Sequence, residues 1–153
     1  MGVVLALAVG GATYALWPRA EDSPEERIRR QVEEMAGAAE ERDVGGILEH
    51  VSEKFRGEQG MGRDELRGYL AGQVLRGEWV RVLPMDLEVT LAGEDGADFS
   101  GKFVLARSEG DMAEQARAGS VTAYLITGQL RREDGEWRFV SARHRPIDAA
   151  DLF

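Results

Sequence analysis

Leu83-Pro84-Met85-Asp86-Leu87-Glu88-Val89-Thr90-Leu91 is the stretch on which the fold turns. Leu83, Met85, Leu87, Val89 and Leu91 share one parity, and Asp86, Glu88 and Thr90 take the other. This residue-by-residue alternation predicts a half-buried β-strand. Pro84 has no amide hydrogen to give a ladder, so it marks an edge or a bulge near the strand's start.

Upstream of this stretch the apolar spacing is helical. Ser23-Pro24-Glu25-Glu26 is a helix start: Ser23 caps, Pro24 suits the first helical position, and Glu26 completes a reciprocal capping box. Ile28, Val32, Met35, Ala36 and Ala39 then form one apolar stripe, with Arg27, Arg29, Arg30, Glu33, Glu34, Glu40 and Glu41 as a solvated face. Asp43 can cap a second helix in which Val44, Ile47, Leu48, Val51 and Phe55 share a side. Its interior glycines Gly45 and Gly46 each weaken it by about 1 kcal/mol relative to alanine. A turn-rich link over 57–62 leads to a third helix. Asp64 and Glu65 lie in its first turn, Leu66, Tyr69, Leu70 and Val74 form its buried stripe, and Arg76-Gly77 closes it.

Downstream the pattern stays strand-like. Gly93-Glu94-Asp95-Gly96 predicts a hairpin into Phe99, Gly101, Phe103 and Leu105. Residues 108–119 are polar, with a helical turn expected at Met112–Arg117. Val121 to Leu130 is apolar on both parities and so is expected to be a central strand. Glu133-Asp134-Gly135-Glu136 turns into a last strand, Trp137 to His144. Helices followed by antiparallel strands specify an α+β fold and argue against a parallel nucleotide-binding sheet.

The 153 residues include 28 acidic and 19 basic side chains, giving a net charge of -9, and no cysteine. That length suits one core. The absence of cysteine excludes disulfides, a thiolate nucleophile and cysteine zinc sites. The acidic balance opposes nucleic-acid binding, which needs clustered cations. Two histidines cannot build a histidine-rich metal centre. No phosphate-binding glycine loop, calcium loop or nucleophile elbow is present, so no metal and no cofactor is expected.

Residues 2–17 carry no charge. As a helix they would span roughly 24 Å, against a hydrocarbon core of roughly 30 Å, with Tyr14 and Trp17 suited to the headgroup level. An uncleaved membrane anchor is the favoured reading, ahead of a cleaved signal with a poor site after Ala15 and a helix buried in the core. Arg19 is followed by Glu21, Asp22, Glu25 and Glu26, an acidic flank that favours a carboxyl side outside the cytoplasm. The expected organisation is a hydrophobic anchor or signal segment at 1–17, an acidic linker at 18–23, a folded domain at 24–147 and a C-terminal tail at 148–153. The expected location is the inner membrane with the domain on its periplasmic side, or secretion after cleavage.

Residues 24–147 resemble the nuclear transport factor 2-like superfamily, including its SnoaL-like domains. The resemblance is carried by Val51-Ser52-Glu53-Lys54-Phe55, Gly62-Arg63-Asp64-Glu65-Leu66, Asp95-Gly96-Ala97-Asp98 and, above all, Asp134-Gly135-Glu136-Trp137-Arg138-Phe139-Val140. It implies a cone of three helices on a curved antiparallel sheet, a pocket at the open end, and often a homodimer through the sheet's outer face. It implies no particular reaction, since function is set by the site.

Phe55, Tyr69, Trp79, Phe103, Tyr124 and Trp137 are the aromatic candidates for lining such a pocket. Ketosteroid isomerase and similar members of the superfamily place a carboxylate base and a tyrosine or acid donor in an apolar pocket, where desolvation raises the base's pKa. Glu58 lies in the link where such a base can sit, though a solvated loop acid is the commoner state of a glutamate. Tyr69 and Tyr124 are candidate donors or rim residues of the core. His50 reads as a surface residue near a helix end. Arg143, His144 and Arg145 form a candidate anion-binding trio or a basic strand end. With no residue assigned as catalytic, the favoured expectation is a membrane-tethered domain binding a small apolar ligand or a protein partner of a membrane complex. The alternative is a small cone-pocket enzyme of isomerase, dehydratase or hydrolase type.

Overall fold

The computed structural model describes residues 21–76 and 79–153. The uncharged segment at 2–17, and with it the anchor, signal and buried-helix readings, lies outside the described residues, as does the helix stop at Gly77. Among the described residues, no helix is long and apolar enough to cross a membrane.

Helix α1 (Pro24–Glu40) opens with the capping box that its sequence announces. The Ser23 hydroxyl accepts from the Glu26 amide at 3.2 Å, and the Glu26 carboxylate accepts from the Ser23 amide at 2.9 Å. Its stripe of Ile28, Val32 and Ala36 is buried. The Gln31 side chain donates to the Trp137 carbonyl at 2.5 Å, tying the helix to the sheet.

The second helix is shorter than its apolar spacing suggests. Asp43 caps α2 (Val44–Leu48) through the Gly46 amide, but the helix ends there. The chain beyond it runs along the last strand instead. The Phe139 amide donates to the His50 carbonyl, the Ser52 amide to the Phe139 carbonyl, and the Arg56 amide to the Val140 carbonyl, all at 2.9 Å. Backbone groups engaged with a strand cannot also close helical turns. Val51 and Phe55 remain buried, so their spacing serves a segment packed on a strand edge. The fully buried Ser52 hydroxyl donates to the Glu133 carboxylate at 2.6 Å and accepts from the Lys54 amide at 3.0 Å.

A one-turn 3₁₀ helix (Glu58–Gly60) leads to α3 (Arg63–Arg76). Four antiparallel strands follow, β1 (Arg81–Leu91), β2 (Gly96–Ala106), β3 (Val121–Glu133) and β4 (Glu136–Ile147), lying side by side in chain order. β3 is interior, as its two apolar parities require, and Pro84 lies in the edge strand β1. The β3–β4 hairpin closes on Asp134 (φ 51°) and Gly135 (φ 82°), both left-handed, as a two-residue turn compatible with strand twist demands. Register shifts between Met85 and Glu88 and between Gln129 and Leu130 bend the sheet, because a bulge kinks its strand and adds twist.

On the concave face, Ile28 and Val32 pack with Ala97, Phe99, Leu130, Trp137 and Phe139. On the other face, α4 (Met112–Arg117) and a C-terminal 3₁₀ helix (Ala149–Leu152) cover one end, burying Val104, Ala106 and Ala123 beneath Met112, Ala116 and Ala149. The expected tail at 148–153 therefore folds back onto the sheet.

Gly128 faces Ala142 across the β3–β4 ladder beside the bulge. A Cβ there would lie 2.5 Å from the Ser141 carbonyl oxygen. Gly128→Ala is expected to lower stability by about 1–3 kcal/mol, seen as a lower urea midpoint with an unchanged slope. An unchanged midpoint would show that the bulge yields without cost.

Candidate functional site

Between the helices and the concave face of the sheet lies a cavity of about 330 Å³. This is near the lower end of the roughly 300–1,000 Å³ of small-molecule sites. Its wall follows from the elements already described. α1 supplies Met35, Ala36 and Ala39, the segment along β4 supplies Val51 and Phe55, and α3 supplies Leu66, Leu70 and Val74. From the sheet come Phe99 and Phe103, four residues apart and so on one face as strand alternation requires, with Tyr124, Ile126 and Phe139 beside them.

Five of the six aromatic candidates line this cavity: Phe55, Tyr69, Trp79, Phe103 and Tyr124. Trp137 does not. It is 3% exposed and belongs to the core beside Ile28 and Leu130, and it also borders a second, polar cleft with Arg27, Arg30 and His50. Its place next to the hairpin turn, opposite Arg132, holds it away from the cavity. An aromatic on the inward parity of a strand reads the same in sequence whether the helices close over it or stand off.

The polar groups gather at the mouth. Glu58 Oε2 lies 3.3 Å from His144 Nδ1, with the two side chains 44% and 46% exposed. The His144 ring is 5.7 Å from that of Tyr124, edge to face, and 6.2 Å from that of Tyr69. Glu58 is held by a closed turn: the Gly57 amide donates to the Met61 carbonyl at 2.7 Å, and Gln59 adopts a left-handed φ of 56°. Burial, followed by the neighbouring Tyr124 and Glu58, raises the Tyr69 hydroxyl above the ordinary tyrosine value. All three effects disfavour the phenolate, so Tyr69 enters the mouth as a protonated hydroxyl that can donate or accept.

This arrangement changes two readings. Glu58 is no isolated loop acid, because His144 faces it. The pair was invisible in sequence, its members lying far apart along the chain, one in the link before α3 and the other in the last strand. Of the trio Arg143, His144 and Arg145, His144 faces a carboxylate, Arg143 borders the cavity, and Arg145 is not part of its wall. His50 is half-buried with Nε2 3.5 Å from Glu34. Among the described residues, no group of histidine and carboxylate ligands is arranged to hold a metal.

Solved structures share this architecture. A cystatin-like fold protein of unknown function from Nostoc punctiforme is 14% identical, with a TM-score of 0.64 over 87% of this chain and 99% of that one. A nuclear transport factor 2-like protein of unknown function from Pseudomonas putida is 17% identical, with a TM-score of 0.64 over 78% and 84% of the two chains. The fold is nuclear transport factor 2-like. A third similar structure with this fold is a hexachlorocyclohexane dehydrochlorinase from Novosphingobium barchaimii, 16% identical, with a TM-score of 0.56 over 78% of this chain and 84% of that chain. No protein-family model matches the chain, and no curated protein matches it.

Proposed function

We propose that this nuclear transport factor 2-like domain binds a small, largely apolar molecule in its cone cavity. The observation carrying the reading is the cavity itself: about 330 Å³ walled mainly by aliphatic and aromatic side chains, with few polar groups among them. A preformed apolar recess with a few convergent polar groups is the usual form of a small-molecule site. Transferring apolar ligand surface into it gains roughly 25 cal/mol per Å².

The domain is further proposed to be tethered to the inner membrane on its periplasmic side by residues 1–17. The uncharged sequence at 2–17 and the acidic flank that follows support this reading.

A second reading is favoured by one feature, the Glu58–His144 pair between two tyrosines. A carboxylate facing Nδ1 orients an imidazole, so Nε2 can take a proton from a bound carbon acid while Tyr69 or Tyr124 donates to the developing anion. The similar dehydrochlorinase bears a name that denotes an elimination, and the same fold accommodates it. Under this reading His144 is the base, Glu58 its positioning residue, and the reaction an isomerisation or elimination requiring no cofactor.

Three outcomes test these readings. The neutral fluorophore N-phenyl-1-naphthylamine should bind with enhanced emission, and Ala39→Phe, which fills the cavity from α1, should weaken it about tenfold or more while circular dichroism stays native. Equal binding by the variant would place the fluorophore elsewhere. Cell fractionation should recover the full-length chain with membranes; recovery in the soluble cytoplasm with residues 1–17 intact would end the tethered reading. For the second reading, the probe is 5-nitrobenzisoxazole, whose ring C–H loses its proton to a base as the N–O bond breaks to give a coloured phenolate. The domain should accelerate this step, and His144→Gln should slow it by about 10²-fold. No acceleration over free imidazole would reject the proton-transfer role and leave the binding role standing.

A further inference from the structure

The cavity is chemically lopsided, and this selects what enters it. At its deep end Val32, Phe99 and Phe139 are buried and belong to the core. At its mouth Glu58 from the link, Tyr69 from α3, Tyr124 from β3 and His144 from β4 stand together, and Gln73 of α3 and Arg143 of β4 also line the cavity. A ligand that fills the apolar end therefore leaves one end of itself among these four groups. An ionised carboxylate only accepts hydrogen bonds, so Glu58 calls for a donor. Imidazole and the two phenol hydroxyls can each donate or accept, and so match a group that does both. A hydroxyl does both; a carboxylate only accepts, and it would bring a second negative charge up to Glu58.

We propose that the cavity takes an uncharged, ring-containing molecule whose polar end is a hydroxyl, and that Glu58 discriminates against ligands ending in a carboxylate. The proposal rests on the binding reading above and names its ligand class. The aromatic wall of Phe55, Trp79, Phe99 and Phe103 suits rings, which stack edge-to-face or offset against such side chains. An independent indication of the local field comes from Tyr69, whose ionisation is opposed first by burial and then by Tyr124 and Glu58. The same influences act on any anion placed beside it. Arg143 also borders this rim and, like Glu58, is exposed, so solvent and salt screen both charges; Glu58 is the charge that opposes ionisation of the Tyr69 hydroxyl.

Displacement of N-phenyl-1-naphthylamine by 2-naphthol and by 2-naphthoate tests this, since the two probes share a ring system and differ only in the polar end. At about pH 7 the first is uncharged and the second anionic. Wild-type protein should prefer 2-naphthol by about tenfold or more. Glu58→Gln, which removes the charge and keeps the shape, should shrink that preference to within about threefold, with its melting transition confirming a folded protein. Equal or tighter binding of 2-naphthoate by the wild-type protein would overturn the proposal and assign control of the mouth to Arg143. A preference that survives in both Glu58→Gln and Glu58→Ala would overturn the role of Glu58. If the fluorophore itself does not bind, the cavity-binding reading falls first and takes this one with it.

Discussion

The contact between the apolar stripe of α1 and the bent part of the sheet holds the molecule's shape. Ile28 and Val32 meet Phe99, Leu130, Trp137 and Phe139 where the β3–β4 bulge turns the last strand inward. Each fully buried side chain of this size contributes about 1.5–3 kcal/mol, and Phe99 and Phe139 add an edge-to-face contact at 5.5 Å. Because this seam closes one end of the concave face, the curvature that continues beyond it cannot be filled by α1 alone. The cavity lies along that remainder, between α1, the segment beside β4, and α3.

The segment from His50 to Arg56 connects core to site. Its backbone bonds to Phe139 and Val140 cover part of the exposed edge of β4, a protection that open sheet edges commonly need. It also commits Val51 and Phe55 to the cavity wall and delivers the chain to Glu58 just above it. Ser52 stabilises this run from beneath by donating to Glu133 and accepting from Lys54. The position of the mouth carboxylate is thus a consequence of how the chain passes β4.

Much of the architecture is legible in local sequence because local chemistry decides it. The capping box at Ser23, the Asp134-Gly135 turn, the edge position implied by Pro84 and the interior position of β3 each follow from a few neighbouring residues. The second helix stops short of its apolar spacing for a related reason. Val44 to Phe55 has helical spacing, but spacing records which side chains are buried and not which partner the backbone chooses. Trp137 illustrates the limit at the site: parity puts it on the concave face, while its distance along β4 decides between core and cavity.

The order of helices and strands, the apolar character of the concave face and the acidic surface follow from the amino-acid string, since they depend on patterns within a few residues or on composition alone. That Glu58 and His144 meet at 3.3 Å between two tyrosines, with Arg145 outside the cavity wall, came from the folded domain alone. Such meetings depend on strand register and on the path of a link around a sheet edge. Those are set by the packing of the whole domain and leave no mark on the residues that they bring together.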